Sequence, residues 1–133
     1  MRHWLTGGIF LVLATGLLAG CSSTSTGSGA SSVAITDESL QTISGNLCAV
    51  KGHATNVGNL TVNVTIQYEA LSATGAVIGT STASFQIAPF SNFDFSNSKA
   101  NQNGQPSSGT FSNGLACAGI SNFKRTNLDV SRA

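Results

Sequence analysis

Cysteine and histidine are the residues of this sequence whose chemistry depends most on spacing. Apart from Cys21, the chain contains one pair of cysteines, Cys48 and Cys117, with His53 close to the first of them. An even pair in an exported protein is expected to form a disulfide. That bridge would close a loop of about 70 residues and stabilise the fold by roughly 4 kcal/mol, because it restricts the unfolded chain. Two buried thiols remain an alternative.

A thiolate metal site that includes His53 is the other alternative for these cysteines. Zinc and copper sites in proteins usually have at least three well-spaced sulfur or nitrogen ligands. Two sulfurs and one imidazole are few, and their spacing matches no metal-binding motif. We therefore assign no metal ligand from the sequence.

Catalytic groups are also missing from the pattern. A hydrolase needs a nucleophile beside a base, and His53 follows no serine or cysteine motif of that kind. Asp37 and Glu38 are expected at the end of an N-terminal tether, too far from the other acids to form a carboxylate pair. No glycine-rich phosphate loop is present. We predict that the protein is not an enzyme and has no catalytic residue, cofactor or small-molecule substrate.

The distribution of charge excludes another class of partner. Charged residues make up only 8% of the chain, and of the six basic residues one, Arg2, lies in the first twenty positions, so five basic and five acidic residues balance in the remainder. Binding to nucleic acid requires a basic stripe or patch. We predict no nucleic-acid partner.

The N-terminus has the layout of a secretory signal. Arg2 and His3 form a short basic start, and residues 4–18 form a mostly apolar run that ends in small residues. A membrane-spanning helix needs about 20 apolar residues, and this run is shorter and interrupted by glycine and threonine. Residues 1–20 are therefore predicted to be a cleaved signal peptide.

The end of this signal, Leu18-Ala19-Gly20-Cys21, resembles the lipobox of bacterial lipoproteins. The resemblance implies cleavage between Gly20 and Cys21 after a diacylglyceryl group has been attached to the thiol. Two or three acyl chains on one residue make membrane attachment stable, since each buried methylene contributes about 0.8 kcal/mol. An ordinary signal peptide with a coincidental cysteine is the alternative.

The residues after Cys21 predict the membrane to which the protein is sorted and the extent of the tether that precedes its domain. In Gram-negative lipoproteins the next residue sorts between membranes, and Ser22, rather than Asp, implies the outer membrane, facing the periplasm or the surface. Small polar residues dominate the sequence up to position 32. We interpret residues 21–40 as a flexible tether and residues 41–133 as one domain.

A β-hairpin is the clearest structural signal in that domain. Apolar and polar residues alternate over residues 61–70, a pattern that predicts a strand with one face on a core and the other in water. After a turn at 72–75, residues 76–88 repeat the pattern, so the two runs predict a hairpin. The apolar face of the first strand consists of Val62, Val64, Ile66, Tyr68 and Ala70.

The remaining segments complete an all-β prediction. Phe90, Phe93 and Phe95 are expected to fill one end of the core. The polar segment 97–109 is predicted to be a mobile surface loop, and residues 115–130 the last one or two strands. Short strands without a helical period indicate a small antiparallel immunoglobulin-like β-sandwich.

Residues 50–95 resemble the FxLyD domain family of exported prokaryotic proteins. The matching pieces are an opening strand and turn at 50–58, a second strand at 64–70, a G-x-V-x-G turn and strand at 74–80, and the aromatic segment at 87–95. The sequence departs from the family where Pro89-Phe90 replaces Pro-Gly and where only Glu69 represents the acidic residue of the name motif. The family is an accessory module of unassigned biochemical role, so the resemblance implies no catalytic residue.

Two functions follow from these observations. The first is a membrane-anchored, non-enzymatic interaction or structural accessory module of the bacterial envelope, with another envelope protein as a further partner. The second is a periplasmic redox or metal-handling protein that uses Cys48, Cys117 and His53.

Overall fold

A computed structural model describes residues 32–133. The predicted signal peptide, Cys21 and most of the predicted tether lie outside the described residues. The described part of the chain forms six strands and three single-turn 3-10 segments, and it contains no helix long and apolar enough to cross a membrane. The strands are β1 (Val33–Ile43), β2 (Leu47–Asn56), β3 (Val62–Leu71), β4 (Val77–Ile87), β5 (Asn92–Phe95) and β6 (Asn122–Arg132).

The strands form two antiparallel three-stranded sheets. One has the order β1-β2-β5 and the other the order β4-β3-β6. Their inner faces enclose one hydrophobic core, as expected when two sheets each have one apolar face. The predicted small antiparallel β-sandwich is confirmed. The most deeply buried large side chains are Tyr68, Phe85, Phe95, Phe111, Ile66 and Ile87.

The predicted hairpin is present as β3 and β4. Val62 pairs with Ile87 at one end and Leu71 pairs with Val77 at the other. Every second residue of β3 is buried, so the alternation in the sequence reports the orientation of the strand correctly. Strand β6 pairs along the other side of β3, which confirms the closing strand predicted within 115–130.

Strand β1 corrects the predicted extent of the tether. Residues 33–40 were assigned to the tether, but Val33–Ile43 form an edge strand paired along β2. An edge strand has a neighbouring strand on one side only and packs one face on the core, so it can be rich in polar residues and still be ordered. Asp37 lies at an irregularity in the β1–β2 register with a φ of 57°, where the strand bends.

The polar segment 97–109 lies at the surface as predicted over residues 98–106, most of which are exposed, but its end is packed into the fold. Ser107 and Ser108 are buried, and the backbone of 107–109 is hydrogen-bonded to β4 through Ser84 and Thr82. Phe111 then donates its backbone N–H to Cys48 in β2. The segment therefore crosses from one sheet to the other and covers the core between them.

The three phenylalanines divide into two groups. Phe93 and Phe95 both stack on Phe85, with ring centroids 5.1 Å apart in each case. Phe90 is 73% exposed, so the prediction that it fills the core is wrong. It lies in the turn between β4 and β5, where Pro89 ends the pairing of β4 and directs the chain away from the core.

Candidate functional site

The predicted disulfide is present. Cys48, fully buried near the start of β2, is bonded to Cys117 in the turn that precedes β6, with 4.8 Å between their Cα atoms. The bridge therefore joins the β1-β2-β5 sheet to the chain that enters the opposite sheet. Hydrogen bonds reinforce this junction, because the Cys48 N–H donates to Leu115 and its carbonyl accepts from Phe111.

His53 is not part of this junction. Cys48 and Val50 belong to the core, whereas His53, at the opposite parity along β2, belongs to the outer face of the sheet. Five residues of a strand also separate His53 from Cys48 by about 17 Å. The two sulfurs and the imidazole are therefore not brought together. Across residues 32–133 there is no cluster of three or more potential metal-binding side chains.

The partner of His53 is Asp94 of β5, which lies directly opposite it in the β2–β5 register. Imidazole Nδ1 and the carboxylate Oδ1 are 2.5 Å apart. A His–Asp pair can hold one imidazole nitrogen as a proton donor, as in acid–base sites. Within the described residues, however, the hydrogen bond of His53 goes to Asp94 and to no serine or cysteine, so the pair lacks a nucleophile.

A shallow groove of about 420 Å³ surrounds this pair. Lys51 and Lys99 contribute positive charge to its walls, while Asp37 and Asp94 contribute negative charge. Because the charges are balanced and the groove is open to water, it provides hydrogen-bonding groups without a strong electrostatic preference for either sign of ligand. An open surface of this kind is more typical of a contact between proteins than of a small-molecule site, because small-molecule sites are usually enclosed and mostly apolar.

A second polar cluster lies between the two edge strands β1 and β6. The Tyr68 hydroxyl donates to Glu38 Oε2 at 2.7 Å, and Arg125 Nε lies 3.4 Å from the same oxygen. Burial raises the pKa of the Tyr68 hydroxyl, the hydrogen bond to Glu38 and the charge of Glu38 raise it further, and Arg125 opposes them. The hydroxyl therefore remains protonated and fastens β1 across the open side of the sandwich.

Sequence reasoning did not identify this cluster. Glu38 was assigned to the tether, and Tyr68 was recognised only as a core residue. The one available signal was that a buried tyrosine in an apolar strand face needs a partner for its hydroxyl. The partner itself comes from a strand that pairs in the other sheet, so no local pattern points to it.

Comparison of the chain with family models, with curated proteins and with solved structures finds no match. The resemblance of residues 50–95 to the FxLyD family therefore stays a prediction from the residues quoted above.

Proposed function

We propose that the protein is a lipid-anchored, non-enzymatic accessory of the bacterial envelope. The observation that carries this proposal is the run Leu18-Ala19-Gly20-Cys21, which directly follows an apolar signal-like segment. The run lies outside the described residues, and its support is the lipobox resemblance. The lipid would be a diacylglyceryl group on Cys21, and Ser22 favours the outer membrane if the organism is Gram-negative.

The folded part is consistent with an extracytoplasmic location. Disulfides form and persist in oxidising compartments, and Cys48 and Cys117 are joined. The sandwich begins at Val33, so only about 11 residues separate its first strand from Cys21. A disulfide-bonded domain that is separated from its lipid by so few residues suits a module that acts close to a membrane surface.

The partner we propose is another envelope protein. The groove around His53 and Asp94 is open, balanced in charge and lined by both polar and apolar atoms, which resembles the rim of a protein contact surface. The adjacent edge strand β1 is blunted by its irregularity at Asp37, so extension of the sheet by a partner strand is disfavoured. Contact through side chains of the β1-β2-β5 face is therefore the favoured mode.

Fatty-acid labelling of cells that express the full precursor tests the anchor. The unaltered protein is expected to incorporate labelled fatty acid and to lose residues 1–20, whereas Cys21→Ser is expected to incorporate no label and to keep its signal segment, because cleavage follows lipid attachment. Ser22→Ala is the matched control, because it changes an adjacent serine and keeps the acceptor thiol. Absence of label from the unaltered protein, or equal labelling of Cys21→Ser, would refute the lipid anchor.

A redox role for the disulfide is the second candidate. The observation in its favour is that Cys117 is only partly buried, whereas its partner Cys48 is fully buried. Catalytic disulfides are reduced by mild thiols, whereas structural ones resist. Titration of the folded protein with a dithiol separates the two: resistance supports the structural role, and reversible reduction with the fold retained supports the redox role. His53 is not required for either result.

A further inference from the structure

The exposed apolar side chains of the domain are concentrated at one end. Four large hydrophobic residues in the described part of the chain are exposed, and three of them, Val57, Leu60 and Phe90, lie in two neighbouring turns. The Phe90 N–H donates to the Gly58 carbonyl at 3.1 Å, so the turns are in direct contact. We call these three residues the apolar tip. The fourth, Val77, lies at the opposite end of the β3–β4 hairpin.

The apolar tip is held in place by one buried amide. Asn56 is fully buried, its Oδ1 accepts from the Gly58 N–H at 2.9 Å, and its Nδ2 donates to the carbonyls of Leu60 and Ala88 at 2.8 and 3.1 Å. The buried side chain of Asn56 therefore fixes both turns by hydrogen bonds from the core side. Their exposed side chains are presented by an ordered scaffold rather than by loose loops.

Phe90 has an unfavourable backbone conformation as well as an exposed ring. Its φ is 52°, in the left-handed region that bulky residues rarely occupy. Glycine would adopt this turn without strain and without exposing apolar surface. A strained aromatic residue that points into solvent is the combination expected when the side chain has an external binding role.

The chain that leads to Cys21 leaves the domain at this same end. The Ser32 carbonyl accepts from the Val57 N–H at 2.8 Å, so residue 32 is bonded to a turn of the tip. Only 11 residues, 22–32, separate Cys21 from the first residue of β1. A lipid on Cys21 is therefore joined to the domain at the tip end of the sandwich and not at the end that contains Cys48.

Charge does not oppose an apolar environment at the tip. Residues 57–61 and 88–91 include no charged side chain. Arg132 pairs with Val62 at the start of β3 and so places a positive side chain at this end, whereas Asp94 and Asp129 lie further along the sheets, opposite His53 and Thr65. An aromatic and aliphatic tip flanked by a cation is a composition typical of protein surfaces that rest in a membrane interface.

We propose that the apolar tip inserts into the interface of the lipid bilayer to which Cys21 is attached. The domain would then stand on the membrane with Val57, Leu60 and Phe90 in contact with lipid. The opposite end of the sandwich, which contains Cys48 and Val77 and is called the distal end below, would point away from the membrane. This inference rests on the proposed lipid anchor. It adds a second membrane contact, made by side chains, and it fixes which end of the sandwich a partner meets.

Tryptophan placed at the tip provides the test. The only tryptophan of the precursor is Trp4, within the predicted signal, so Phe90→Trp gives the processed chain a single tryptophan, which is excited selectively over Tyr68 at long wavelength. Val77→Trp is the matched control, since it replaces the exposed apolar residue at the other end. Each acylated protein is placed in vesicles of phosphatidylethanolamine and phosphatidylglycerol, with and without bromine on the acyl chains, after its mass and its fold have been checked.

The expected result is emission at shorter wavelength and several-fold stronger quenching by brominated lipid for Phe90→Trp than for Val77→Trp. Leu60→Trp is expected to follow Phe90→Trp, which guards against a defect specific to one variant.

Equal, weak quenching at positions 60, 77 and 90 of acylated protein would overturn the proposal but leave the anchor standing. Shorter-wavelength emission without quenching would also overturn it, because the tip would then be buried against protein. A mass without acyl chains would refute the anchor, and the tip proposal with it.

Discussion

The two ends of strand β2 are secured in different ways. At the distal end Cys48 is bonded covalently to Cys117, and this bridge joins the two sheets. At the end where the chain from Cys21 enters, Asn56 holds the turns by hydrogen bonds alone. Of the exposed large apolar residues in the described part of the chain, the distal end holds one, Val77, whereas the other end holds Val57, Leu60 and Phe90. A buried polar side chain can thus support a turn whose own apolar side chains are free to face outward.

Removal of the disulfide is expected to have the largest effect on this comparison. The double variant Cys48→Ala, Cys117→Ala should lose about 4 kcal/mol of unfolding free energy, because the unfolded chain regains the entropy of a loop of roughly 70 residues. Urea unfolding of the oxidised protein and the variant measures the difference. Reduced wild-type protein is the control and should match the variant; a loss below about 1 kcal/mol would show that the distal end does not depend on the disulfide.

Asn56→Ala is expected to cost roughly 3 kcal/mol, because it leaves the Gly58 N–H and the carbonyls of residues 60, 87 and 88 without their buried partner. Hydrogen exchange should show the loss of protection first in the tip turns and not around Cys48. Asn59→Ala is the matched control, since this neighbouring amide is exposed and should have little effect. Uniform loss of protection along β2 would contradict the independence of its two ends.

Gly52 lies between the two ends, and its replacement tests the packing that connects them. A Cβ atom at this position would lie 2.6 Å from Cζ of Phe95, so Gly52→Ala must displace a fully buried ring that stacks on Phe85. We expect a loss of about 2 kcal/mol in thermal or urea unfolding. Gly119→Ala is the control, because a Cβ there meets nothing within 4 Å. Equal stabilities of the two variants would contradict the tight contact.

Tyr68→Phe should have the smallest effect, about 1 kcal/mol at neutral pH, because it removes one hydrogen bond to Glu38. Its signature is the pH dependence. Folding raises the pKa of Tyr68 above the ordinary value near 10, so its contribution is complete below pH 10 and declines as the pH rises above that value. Stability measured from neutral pH to above pH 10 should fall more steeply for wild type than for Tyr68→Phe; parallel curves would show that Tyr68 does not lose this contribution.

The sequence was sufficient where the pattern is local or chemically exclusive. The ten-residue alternation in β3 identified the buried face of the strand, and the even pair of cysteines identified the disulfide. Both signals are independent of the rest of the fold, since a strand has a period of two and a thiol has few partners in an exported protein.

The sequence was insufficient where structure depends on distant partners. Residues 33–40 of β1 belong to the predicted tether, because their order comes from pairing with β2 and from the bond of Glu38 to Tyr68, 30 positions away. The polar composition of 97–109 indicates a surface loop, but residues 107–109 are fixed by backbone hydrogen bonds to β4, which no local pattern predicts. The His53–Asp94 pair depends on the register of β5 against β2, which no local spacing encodes.

The intact mass of the protein purified from membranes tests the central claim most directly. The mass should correspond to a chain that begins at Cys21 and carries acyl groups, and Cys48 and Cys117 should become alkylated only after reduction. An unacylated mass with two thiols that react without reduction would contradict both the anchor and the disulfide, and would move the redox function into first place.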